Sequence, residues 1–66
     1  MRINKLKLGI AMAKRGTNFL ALAEKSGVSR NTLSSINNGR TCSAIVLSKI
    51  SKALEVKPEE LIESEV

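Results

Sequence analysis

The chain has 66 residues, 42% of them hydrophobic, and its 11 lysines and arginines against 6 acids give a net charge of +5. That length holds one domain with a small core, in which tight helix packing or self-association carries weight. Histidine and aspartate are absent and Cys42 is the single cysteine, so an internal disulfide, a cysteine-based metal cluster and a Ser-His-Asp arrangement are excluded.

Phe19 is the only aromatic residue, and the remaining apolar supply of Leu, Ile, Val and Ala favours helices over strands. From Arg2 to Arg15, Ile3, Leu6, Ile10 and Ala13 recur at three- and four-residue steps. This predicts a first helix with that face inward and Gly16 as its stop. Asn18 is placed to cap a second helix from Phe19 to Lys25, and Gly27 supplies the positive φ of a tight turn after it. Ser29 caps a third helix from Arg30 to Asn37, with Leu33 and Ile36 buried and Asn38-Gly39 ending it. Ser43 caps a fourth through Leu54, with Leu47, Ile50 and Leu54 inward. Pro58 fits the first turn of a short fifth helix, where Glu59 and Glu60 suit the positive helix start and Leu61 and Ile62 dock it. The expected architecture is a single all-α domain over residues 1–66, a compact five-helix bundle.

Charge is uneven along this frame. Residues 1–40 carry Arg2, Lys5, Lys7, Lys14, Arg15, Lys25, Arg30 and Arg40 against Glu24 alone, whereas residues 41–66 are net acidic. A basic N-terminal two-thirds is what a phosphate-facing surface requires, and the acidic tail (Glu59, Glu60, Glu63, Glu65) is expected to form a solvated face away from such a surface. The longest apolar run near the N-terminus, Gly9 to Ala13, is too short for a signal peptide or a membrane span. A cytoplasmic setting fits the cysteine usage.

Residues 18–40 concentrate the information. Ala23 is small enough for two helices to approach closely, Gly27 turns the chain, Val28 plugs the angle, and Leu33 and Ile36 anchor the second helix. Arg30, Asn31, Ser34 and Ser35 are left on its outer side. A helix that shows short polar residues and one arginine outward is able to enter a major groove.

This stretch resembles the Cro/repressor-type (XRE-like) helix-turn-helix family. The segments Leu22-Ala23-Glu24-Lys25, Gly27-Val28-Ser29-Arg30, Thr32-Leu33-Ser34 and Ile36-Asn37-Asn38-Gly39-Arg40 follow its core pattern. Lys49-Ile50, Lys52-Ala53-Leu54 and Leu61-Ile62 follow its last helices, so the likeness runs from about Leu6 to Ile62. There are three departures. Phe19 replaces the family's usual phosphate-binding glutamine. Met12 and Asn37 replace an arginine–glutamate pair, whose joint loss leaves no orphan charge. Cys42 replaces a proline before the fourth helix.

The resemblance implies a lambda-repressor-like domain that acts as a sequence-specific regulator on double-stranded DNA, with residues 29–37 as recognition helix. Arg30, Asn31, Ser34 and Ser35 are the candidate base contacts. Guanidinium pairs with guanine O6 and N7, and a carboxamide pairs with adenine N6 and N7. Asn18, Ser29, Thr32, Asn38 and Arg40 are the candidate backbone contacts, Thr32 also offering a methyl to thymine. Implied partners are a palindromic operator and a weak homodimer formed on DNA, its surface expected around Val56, Leu61 and Val66. No cofactor or metal is expected, and nothing in the chain supplies a perturbed base or deep pocket for an enzyme. The alternative is a helix-turn-helix module, such as an anti-repressor or antitoxin, that binds another regulator through Phe19 and Leu20.

Overall fold

Four polar side chains start the four helices. Asn4 Oδ1 accepts from the Lys7 amide at 2.9 Å, Asn18 Oδ1 from Ala21 at 2.9 Å, Ser29 Oγ from Thr32 at 3.2 Å and Ser43 Oγ from Val46 at 3.2 Å. Each satisfies an amide that the helix start leaves without an internal partner. In this computed structural model, which describes residues 1–62, the helices are Lys5–Arg15 (α1), Phe19–Ser26 (α2), Arg30–Asn37 (α3) and Ala44–Leu54 (α4).

The expected fifth helix is a single 3-10 turn, Pro58–Glu60. Pro58 starts it as the sequence suggests, and Glu60 Oε2 accepts from the Lys57 amide at 2.9 Å. It stops because the next residues are committed elsewhere. Leu61 is completely buried, its carbonyl accepts from the Asn4 amide at 2.7 Å, and Ile62 forms an antiparallel bridge with Ile3. A chain drawn into extended pairing cannot continue as a helix. The acidic residues Glu63 and Glu65 lie outside the described residues.

The start of α1 and its buried face also differ from expectation. The helix begins at Lys5, not Arg2, because Met1–Asn4 runs extended, with the Met1 carbonyl accepting from the Cys42 amide at 2.7 Å. Ile3 is buried as part of that extended segment. Within α1 the inward residues are Leu8 and Ala11, with Met12 packed beside them. Leu6 is 72% exposed, Ile10 48% exposed, and Ala13 also faces outward. Leu8, Ala11 and Met12 obey the same three- and four-residue spacing as the face first expected, so periodicity alone could not choose between them.

The core joins Ile3, Leu8, Leu22, Val28, Leu33, Ile36, Leu47, Ile50, Leu54 and Leu61. Complete burial of a leucine or isoleucine contributes about 1.5–3 kcal/mol, so α4, with Leu47, Ile50 and Leu54 all inward, is the element on which α1, α2 and the Pro58–Glu60 turn pack, while α3 packs on α2. Ser51, the buried polar residue, donates its hydroxyl to the Ser48 carbonyl at 3.0 Å. Arg15 ties α1 to α4: its Nε donates to the Leu54 carbonyl at 2.9 Å and its guanidinium sits 3.4 Å from the Glu55 carboxylate. Met12 and Asn37, which stand where the family's ion pair is usual, are half-buried.

Candidate nucleic-acid interface

The turn between α2 and α3 is built from three consecutive residues. Gly27 takes φ 77°, a left-handed conformation that a Cβ would strain, and its amide closes α2 on the Ala23 carbonyl at 2.9 Å. Val28 is buried and fills the angle, held by its amide donating to Ser26 Oγ at 3.2 Å. Ser29 then caps α3. The helix is anchored from below by Leu33 and Ile36, both essentially without solvent contact. Everything else on α3 is thereby turned outward or to its flanks.

Arg30, Asn31, Thr32 and Ser34 are exposed. Arg30, Asn31 and Ser34 share an open groove of about 570 Å³ with Ser29 and Phe19. Thr32 is less free than its exposure suggests, because its Oγ1 accepts from the Ser29 hydroxyl at 2.8 Å. That bond holds both hydroxyls at the helix start. Ser35 is half-buried, and its carbonyl accepts from the amides of Asn38 and Arg40, each at 3.1 Å. Those bonds fold the exposed Asn38 and Arg40 back over the far end of α3, with Gly39 at φ 101° making the reversal. The eight residues of α3 span about 12 Å. Asn18 caps α2, and the amides of Phe19 and Leu20 head that helix, where backbone N–H groups point outward.

The structure therefore gathers Ser29, Arg30, Asn31 and Ser34 around one groove, places Asn18 at its α2 side, and sets Asn38 and Arg40 at the opposite end of α3. Two features escaped the sequence reading. Phe19 is half-buried, packs against the core and also lines the groove, whereas Leu20 is 53% exposed. The Arg15 clamp was also missed, its only signal being a basic residue in the last turn of α1. Of the expected dimer residues, Leu61 is withdrawn into the core, Val56 is half-buried against it, and Val66 lies outside the described residues. Cys42 is half-buried, and burial pushes its thiol above the ordinary value. Among the described residues no group of three or more His, Cys, Asp or Glu comes together, and no helix is long and apolar enough to cross a membrane.

A capped helix, a glycine turn and a second capped helix with a polar outer face define a helix-turn-helix domain. Residues 7–65 match the Cro/C1-type HTH DNA-binding domain, and the chain belongs to that family. The fold is also similar to two solved structures, one described as native PhpD with cadmium atoms and the other as PhpD with cadmium complexed with hydroethylphosphonate. Each superposes with a TM-score of 0.83 and 23% identity over 100% of this chain, which spans 14% of the length of that one. Likeness at that identity speaks for the fold alone. No curated protein sequence matches the chain.

Proposed function

We propose that the chain is a sequence-specific regulator of transcription that lays α3 in the major groove of double-stranded DNA. One observation carries this reading. The solvent face of α3 presents Arg30, Asn31 and Ser34 with no bulky neighbour on the helix itself, in a domain of a DNA-binding family. Arg30 reads guanine through a bidentate guanidinium contact and Asn31 reads adenine, while Ser34 and Ser35 make shorter contacts to base edges. Asn18, Ser29, Asn38 and Arg40 hold the phosphates on either side, and Thr32 supports Ser29 at the helix start. These backbone contacts fix register and read no sequence. The partner is a palindromic operator bound by two copies that meet on DNA, with half-sites about 34 Å apart.

The test is selection of bound duplexes from a random pool at moderate salt, with Arg30→Ala run in parallel. The expected result is a two-fold symmetric motif that loses definition at one position of each half-site in the variant, with a cost of about 1–3 kcal/mol per half-site. Absence of enrichment refutes sequence reading. It would favour the second reading, a module that binds another regulator, for which the exposed Leu20 is the supporting observation.

A further inference from the structure

Phe19 stands in a place that the DNA-binding reading does not explain. It is the first residue of α2, it is half-buried against the core, and it also lines the groove shared by Ser29, Arg30, Asn31 and Ser34. An aromatic ring there cannot bind a phosphate, and facing one would strip water from the anion without supplying a donor. The major groove offers one apolar feature on a base edge, the 5-methyl group of thymine. A ring lining the same groove as Arg30 is suited to receive that methyl from a pyrimidine near the guanine Arg30 reads.

We infer that Phe19 is a specificity-determining residue that reads thymine through its 5-methyl group. The inference rests on the proposed DNA-binding function and adds an apolar contact to its polar readout. Phe19 thereby selects a thymine within the half-site where its polar neighbours are indifferent to the methyl.

The experiment uses the selected operator with each thymine replaced singly by uracil, which removes one methyl and leaves every hydrogen-bonding group in place. For the natural chain, one such replacement per half-site is expected to weaken binding about four-fold, the value of one buried methyl-sized group. Phe19→Gln should bind the thymine and uracil duplexes equally while still depending on Arg30, its fold checked by circular dichroism. Phe19→Leu preserves an apolar core contact should the glutamine variant fail to fold, and it is expected to reduce the discrimination to about two-fold. An operator whose uracil forms are all bound as tightly as the parent overturns this inference alone. So does discrimination that persists unchanged in either variant, since the methyl would then be read by another residue. Failure to select any operator overturns both the inference and the function on which it rests.

Discussion

Glu55 closes α4 at φ 56° and ψ 42°, the one non-glycine residue with positive φ among those described. A side chain with a Cβ pays about 1–2 kcal/mol to sit there, which glycine avoids. Glycine returns part of this through the greater freedom of its unfolded chain, about 0.4–1 kcal/mol. Glu55 also holds an ion pair with Arg15 at 3.4 Å, but the side chains are 44% and 59% exposed, so solvent limits it to about 1 kcal/mol at most. Glu55→Gly and Glu55→Ala remove that ion pair equally, and differ in the strain of the left-handed cap and in the freedom of the unfolded chain. The glycine variant is therefore expected to be the more stable of the two by about 1 kcal/mol, or about 4–8 °C in Tm for a domain of this size. Thermal unfolding followed by circular dichroism measures the difference directly. An alanine variant as stable as the glycine variant would show that α4 does not end in this conformation.

Arg40→Ala should weaken selected and random duplexes alike and lower the salt slope of binding by about 0.9 for each copy bound, the value of one phosphate contact. A loss confined to the selected site would make Arg40 a base-reading residue instead. Leu33→Ala removes a fully buried anchor of α3 and should cost about 2–5 kcal/mol, against about 3–10 kcal/mol for the whole domain. A Tm lowered by less than about 4 °C would mean that Leu33 is not the anchor described.

The helix-turn-helix was legible in the sequence because its determinants are local. Asn18, Gly27 and Ser29 each act within four residues of their own position, so each helix start and the turn between α2 and α3 follow from chemistry that a linear reading sees. The inward side of α1 was not legible. Leu6, Leu8, Ile10, Ala11, Met12 and Ala13 leave apolar residues around most of the helix, and the choice between faces falls to a contact 59 positions away, the bridge of Ile3 to Ile62. The same contact cut the fifth helix to one turn. At the candidate interface, the outward placement of Arg30, Asn31 and Ser34 followed from the burial of Leu33 and Ile36. The local pairing of Thr32 with Ser29, and the double position of Phe19 between core and groove, depend on geometry that residue spacing does not encode.

The fastening of Ile3 to Ile62 makes the described chain nearly a closed ring. Joining residues so far apart in sequence is the most entropically demanding closure in the fold, and it is rewarded only when the helices between are already assembled. The seam should therefore form late in folding and open early in unfolding, releasing the Asn4 cap of α1 while α2 still packs on α4 and α3 on α2. A short linker across the seam, with new ends cut in the exposed stretch at Gly16, would turn that costly closure into a covalent one and move α3 from the middle of the chain toward its new N-terminal end.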